Sequence, residues 1–464
     1  MNKEQIISKG KKSIASIAFL GLSLNLHGTI QELEGKDYIP FNIAQNCYEL
    51  AFLIETSGFN PGGDRELGFV ANSGNCIGRG GYGSIFEAIY GYDEQQVVLK
   101  YAHRGSEEDL ENEFRNSFFL LNGMLNEFRA GLNLESEIRP EIWEGMKSIV
   151  CSLWRTPDGA LLQKRIMGLN LLIAIEDGVN EGRVKYPYND GNPVDGHGAI
   201  WRAMKFFYTL ATVHRLGYIV VDLSCSNIVL DPSTNFSCCL IDWSLLTSIG
   251  GRIPAFMLKP PPAEKFPQEY WEAREIFFAI ENKEEEIERV VSQMQAVESK
   301  GNRYDIVRES PILKTIFRRV LHPLTRGYLQ VPTDEMMAEL VVKYVELDEQ
   351  KERLEQEKAA LCARQEALMP PAHPSYDIYL SSYILQAILF GKLGLAGVQR
   401  RGIGALFLPN NFENVAETAE AQKMYSPEIL AGISEIITAM RNPDPGLRPS
   451  AMDIADALRT IGGL

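Results

Sequence analysis

Basic charge, paired cysteines and long apolar runs are all scarce in this sequence, and each scarcity removes a class of function. There are 46 Lys and Arg against 61 Asp and Glu, a net charge of −15. No general attraction to a phosphate backbone follows from that balance, so nucleic acid is not an expected partner. An anionic small ligand would need its own local cations. The seven cysteines (47, 76, 151, 225, 238, 239 and 362) are an odd number with no C-x-x-C pair. That argues against zinc and dithiol redox chemistry and reads as reduced thiols in a cytosol-like compartment. No segment beyond the N-terminal region reaches the roughly 18 consecutive apolar residues of a membrane span, so stable membrane insertion is not expected. One stretch needs weighing. "KGKKSIASIAFLGLSLNL" has a basic start and an apolar run of signal-peptide length. It lacks a small-x-small cleavage site and is broken by serines and Asn25, so it reads as a packed or partner-facing segment.

What remains is the composition of a folded protein. The 464 residues are 45% hydrophobic and 23% charged, near the average for soluble domains and enough for two or three structural units. No internal repeat is present. Residues 1–70 form an N-terminal extension with one helical stretch, "NIAQNCYELAFLIETSG", ended by Gly58. Residues 71–168 carry short strand-like runs (Ser84–Tyr90, Gln96–Tyr101, Ser148–Leu153, Ala160–Ile166) around a helix over 107–127. In 169–264 the helix "GAIWRAMKFFYTLATVHRLG" precedes a strand pair, "SNIVLD" and "CCLID". Residues 265–370 are long, charge-laced and helical in period, the pattern of a solvated hairpin or coiled coil. Helical patterning resumes over 371–464.

Three clusters carry chemistry. In "IGRGGYGSIFEA", Gly78, Gly80 and Gly83 have G-x-G-x-x-G spacing; glycines let backbone approach phosphate oxygens, although a plain hairpin turn reads the same way. Strand-like "SIFEAIY" follows where a dinucleotide fold would start a helix, which argues against a Rossmann unit. Lys100 ends the strand "QQVVLK", 17 residues past Gly83. Its ammonium would need a carboxylate, and Glu113 is preferred over Glu111 because apolar residues at 114, 118 and 121 seat that helix against the sheet. The third cluster is "YIVVDLSCSNIVLD", where Asp222 and Asn227 follow an apolar run with no lysine or arginine between them. Asn227 and Asp242 sit at the ends of the strand pair, which can bring them together as oxygen ligands for a hard cation such as Mg2+. Asp222 is left to orient a hydroxyl or accept its proton. Either aspartate taken alone could equally cap a turn.

In their order these residues resemble the eukaryotic-like protein kinase superfamily: glycine loop, strand lysine, helix glutamate, D-x4-N loop, then an aspartate after a strand. Two later segments are similar as well. "PSYDIYLSSYILQAILFG" looks like the family's buried long helix, whose aspartate, here Asp377, ties the catalytic-loop backbone. "RNPDPGLRPSAMDIADAL" resembles its closing helices, with Arg448 paired to a glutamate for which Glu264 in "PPPAE" is the candidate. The resemblance covers about 71–264 and 371–464. It implies an α+β, two-lobed fold with a small β-rich N-terminal lobe (71–168) and a helical C-terminal lobe (169–264 and 371–464). It implies ATP held by Ile77, Gly78, Gly80, Gly83, Ile85 and Lys100, and Mg2+ held by Asn227 and Asp242. It also implies phosphoryl transfer to a protein hydroxyl through Asp222, Lys100 and Glu113, with serine or threonine favoured over tyrosine. The insertion at 265–370 would then project near the substrate side as a platform for a regulatory partner.

Departures from the family pattern bear on catalytic power more than on nucleotide binding. H-R-D reads Val220-Val221-Asp222, so the arginine that gathers an activation-loop phosphate is missing. The lysine two past the aspartate is Ser224, and D-F-G reads Asp242-Trp243-Ser244. A pseudokinase scaffold is therefore one alternative. Others are a small-molecule kinase, because "LIDWS" resembles the I-D-W of aminoglycoside and choline kinases, and an AMP-transferring enzyme on the same fold. The departures also resemble those of bacterial effector kinases, which implies a cytoplasmic site of action, in the producing cell or in a host cell.

Overall fold

A computed structural model describes residues 49, 52–53, 70–79, 82–90, 95–133, 140–155, 159–174, 188–189, 192–193, 196–234, 237–258, 267–316, 333–390, 422 and 424–464. Gly80, Glu264, the basic-apolar N-terminal stretch and most of the helix expected from Asn42 lie outside the described residues. The chain divides into two compact units. One comprises Met1–Met257, Pro261–Glu269 and Pro371–Leu464; the other comprises Leu258–Pro260 and Tyr270–Pro370.

The first unit is α+β. Strands β1 (Val70–Arg79), β2 (Gly83–Tyr90) and β3 (Gln95–Ala102) precede helices α1 (Glu107–Asn133) and α2 (Pro140–Lys147), and then come β4 (Ser152–Arg155) and β5 (Leu161–Lys164). The five strands form one antiparallel sheet in the order β1-β2-β3-β5-β4. In β3, Val97 and Leu99 join the main core. Strand alternation turns Val98 and Lys100 to the opposite face. There Leu161, the register partner of Lys100, packs with Leu110 and Phe114 of α1. Glu107, Glu108 and Asp109 fill the first turn of α1, where negative charge suits the helix dipole.

Three elements differ from the sequence expectation. β1, "VANSGNCIGR", lacks apolar alternation because its ladder to β2 is irregular, with register shifts between Asn72 and Cys76 and between Cys76 and Gly78. The strand expected at Ser148–Leu153 begins only at Ser152. Ile149 instead makes an isolated parallel bridge to Leu240, and backbone bonds from Val150 N and to Ser148 O tie this segment to Leu240. α2, not foreseen, buries Ile142, Trp143, Gly145 and Met146. A Cβ at Gly145 would stand 2.4 Å from the carbonyl oxygen of Tyr208, so only glycine lets the two helices approach this closely.

A two-residue ribbon, β6 (Tyr188–Asn189) with β7 (Asn192–Pro193), precedes helix α3 (Gly196–Arg215). α3 runs through the core, with Ala199, Ile200, Ala203, Phe206, Phe207, Leu210 and Val213 wholly buried. Strand β8 (Tyr218–Ile219) pairs with β11 (Thr247–Ser248), and β9 (Ile228–Asp231) pairs antiparallel with β10 (Ser237–Leu240). In the second unit, α4 (Trp271–Glu309), α5 (Pro311–Ile316) and α6 (Asp334–Leu368) follow. Contacts Glu272–Arg364, Lys283–Glu357 and Glu284–Lys358 run in opposite senses along α4 and α6, so the pair is an antiparallel hairpin. Its seam is narrow: Val290, Met294, Val297, Leu347 and Leu354.

The first unit closes with α7 (Pro374–Phe390), α8 (Pro427–Met440) and α9 (Ala451–Gly462). α7 is buried along nearly its whole length, as its apolar sequence on every face requires. Ser450 and Asp453 form a reciprocal capping box at the start of α9. Among the described residues, no helix is long and apolar enough to cross a membrane, and the six described cysteines form no disulfide. Burial pushes the thiols of Cys225 and Cys239 up to about 12, so neither is a thiolate at neutral pH.

Candidate functional site

The site is built around one ammonium group. Across the sheet, Gly78, Ile85, Lys100 and Leu161 are successive register partners on β1, β2, β3 and β5, so Ile85 and Lys100 share a face. Lys100 Nζ donates to Glu113 Oε2 at 2.6 Å and to Asp242 Oδ2 at 2.9 Å. Glu113 is fully buried and its other oxygen is also satisfied, accepting from Gln163 Nε2 at 2.6 Å and Ser152 Oγ at 3.4 Å. Ser152 is fixed in turn, since its N–H donates to Ser117 Oγ at 2.9 Å. Glu111 faces away and pairs with Arg155 at the surface. Burial lowers the affinity of Lys100 for its proton, but the charges of Glu113 and Asp242 outweigh that, so the ammonium persists well above its ordinary range. Burial raises the Glu113 carboxyl against the pull of Lys100.

Two carboxylates sit on strained backbone beneath it. Among the described residues, Val221 (φ 64°) and Asp242 (φ 65°) are the non-glycine positions with left-handed backbone. A β-branched residue in that region is an outlier, and such strain persists only where the surroundings impose it. Asp377, fully buried in the first turn of α7, imposes it at Val221. Its carboxylate accepts from the N–H of Val220 at 2.7 Å and of Val221 at 3.1 Å, with His214 Nε2 3.0 Å away. Asp222 N then donates to Val220 O at 2.8 Å, closing a tight three-residue turn that projects Asp222.

Asn227 Nδ2 donates to the carbonyl of Asp222 at 3.1 Å and to its carboxylate at 3.0 Å. The N–H of Ile241 donates to Asn227 O at 3.0 Å, so Asn227 and Asp242 flank the same end of the β9–β10 pair. Asp242 Oδ1 accepts from Ser244 Oγ at 2.8 Å. Burial and then the charge of Asp242 hold the Asp222 carboxyl above its ordinary value, against Asn227 and Lys100. For Asp242 burial acts upward too, but Lys100 and Ser244 outweigh it and the carboxyl lies below its ordinary value.

Of the glycines, Gly83 is sterically required: a Cβ there would lie 2.5 Å from Tyr101 O, whereas at Gly78 it would make ordinary contact with Ile85. Ile77 is exposed. Tyr82, between the two, is held by the N–H of His103 at 2.8 Å. Its phenol is raised by burial and by the charges of Asp109, Asp222 and Asp242. Arg448 is paired with Glu269, at 2.7 and 2.9 Å; the expected partner, Glu264, lies outside the described residues. The guanidinium also donates to Asn442 O and Ser375 O, which orients its fork toward the turn at Gln268–Tyr270.

Sequence reasoning missed Gln163, Ser152, Asn116 and Tyr82. Asn116 Nδ2 donates to Trp243 O at 2.7 Å and Ser244 O at 3.3 Å. Only Tyr82 had a local signal, as the one aromatic inside the glycine repeat. Among the described residues, no group of three or more His, Cys, Asp or Glu side chains could hold a metal. A magnesium ion bound with phosphates and water needs just one or two protein oxygens. Asp242 with the amide oxygen of Asn227 meets that requirement, and the repulsion that raises Asp222 is what such a cation would relieve. A scan against protein-family models and a search of curated proteins return no match to this chain.

Proposed function

We propose that this chain is a protein kinase of the eukaryotic-like superfamily, two-lobed, with 265–370 as a helical insertion. The observation that carries the reading is Lys100, bonded at once to Glu113 and Asp242 over a floor that includes Asp222 and Asn227. ATP with magnesium supplies the transferable phosphoryl group and the charge that neutralises it. Lys100 binds phosphate oxygens, and Glu113, locked by Gln163 and Ser152, keeps that ammonium aimed. Asn227 and Asp242 would hold magnesium. Asp222 orients an acceptor hydroxyl, on serine or threonine ahead of tyrosine, and its raised affinity for a proton suits it to accept one. Catalysis on this scheme is mainly positioning and charge neutralisation.

The test is incubation with labelled ATP and magnesium, reading autophosphorylation by intact mass. The expected product carries phosphate. Asp242→Ala should reduce transfer to below about a hundredth of the parent rate. Equal turnover in the two rejects the assignment, and a nucleotide adduct assigns AMP transfer in its place.

A second reading is a pseudokinase scaffold whose insertion binds a partner. Ser224 supports it: it occupies the position where the superfamily has a lysine beside the acceptor, and its hydroxyl meets that of Ser226 at 2.7 Å. A pull-down that survives loss of Lys100 and fails on deletion of 265–370 selects this reading.

A further inference from the structure

α1 reaches the site twice, one helical turn apart: through Glu113 to Lys100, and through Asn116 to the backbone just after Asp242. The second attachment concerns a strained point. Where the Asp242 carboxylate points depends on its left-handed φ of 65°, a conformation that aspartate tolerates but does not prefer. The bonds from Ser244 to Asp242 Oδ1 are local and move with the turn, so they cannot fix it against β3. Beside the bond from Lys100 Nζ to the carboxylate, three bonds from outside the turn can. The indole of Trp243, fully buried, donates Nε1–H to Val150 O at 2.7 Å, and the carboxamide of Asn116 holds the carbonyls of residues 243 and 244. The Trp243 carbonyl also receives the N–H of Leu246 at 3.1 Å, so Asn116 and that amide fasten the same oxygen from two sides.

We propose that Asn116 is a positioning residue for the metal-binding carboxylate: it clamps the peptide carbonyls after Asp242 and so fixes that side chain relative to Lys100. This rests on the reading of Asp242 as a magnesium ligand. The role requires a donor of this length, which explains a half-buried asparagine facing two carbonyl oxygens, a donor that leucine or aspartate would withdraw from both.

The test uses the full chain with Asn116→Leu and Asn116→Asp. Hydrogen exchange without ligand should accelerate about tenfold at the amides of 243–246, with the Leu240 amide unchanged. Calorimetry with a non-hydrolysable ATP analogue should show half-saturating magnesium raised about tenfold, and binding of the analogue without metal changed less than about twofold. If the leucine variant fails to fold, Asn116→Ser, too short to reach both carbonyls, replaces it. Unchanged exchange overturns the proposal. So does faster exchange with an unchanged magnesium requirement, which would be a purely structural role. A parent chain that takes up no magnesium nucleotide overturns the functional reading itself, and is told apart because it appears before any substitution is made.

Discussion

Charged side chains are held together in two opposite ways in this molecule. Around Lys100 the charges are few, drawn from distant parts of the chain and largely buried, from Glu113 at 1% side-chain exposure to Asp242 at 22%. Along the α4–α6 hairpin they are many and lie at the surface, from the half-buried Lys283 to the open pair of Arg364 and Glu272 at 63% and 60%. The hairpin owes its cohesion to buried apolar residues such as Val290, Met294, Val297, Leu347 and Leu354, and its ion pairs mostly keep the faces soluble. The site has the reverse economy, because each buried charge there depends on a partner, and removing one strands the others.

Substitutions can break that contrast or sharpen it. The largest effect should follow Lys100→Met, which leaves Glu113 and Asp242 facing each other without a cation; a loss of roughly 3–5 kcal/mol in chemical unfolding is expected. A loss under 1 kcal/mol would mean that water already reaches the pair. Next is Leu354→Ala in the hairpin seam, which should cost about 2–3 kcal/mol as a cavity effect, read by circular dichroism during unfolding. Asp222→Asn should do the opposite and stabilise the fold at neutral pH, on the order of 1 kcal/mol, while phosphate transfer collapses.

The sign follows from the raised Asp222 carboxyl. The folded chain holds that proton more tightly than the unfolded chain does. The resulting stability is present below the ordinary carboxyl value of 3.8 and lost as pH rises through the folded value. The advantage of Asp222→Asn should therefore shrink as pH falls through that window, in thermal melts recorded across the acid range. The smallest effect is Arg364→Ala, about 0.5 kcal/mol or less and smaller still in high salt. A larger value would show the hairpin to be held by charge after all.

The same contrast governs what the sequence discloses. The hairpin is legible from local periodicity, since its apolar seam and charged flanks repeat within each helix. Lys100, Asp222, Asn227 and Asp242 could be singled out because they break or end apolar strand runs, Glu113 because of the apolar residues that seat its helix, and Asp377 only through the family resemblance. Gln163, Ser152 and Asn116 could not be found this way: a neutral polar residue in a strand or helix looks solvated until the fold buries it. Arg448 shows a related limit. A partner was expected in "PPPAE", whose Glu264 lies outside the described residues, and the bond to Glu269 in the turn that follows had no signal in the spacing. β1 was hidden because its bulged ladder erases alternation.

The three described positions ahead of β1 bear on where an expression clone should start. Glu49, Phe52 and Leu53 are buried, with Glu49 bonded twice to Arg129 and Phe52 stacked 4.3 Å from Phe128 and leaning on Trp143. A truncation beginning at the first strand would strip this cover from the back of α1. The bared aromatic surface would favour inclusion bodies, and its effects would be mistaken for those of changes at Lys100.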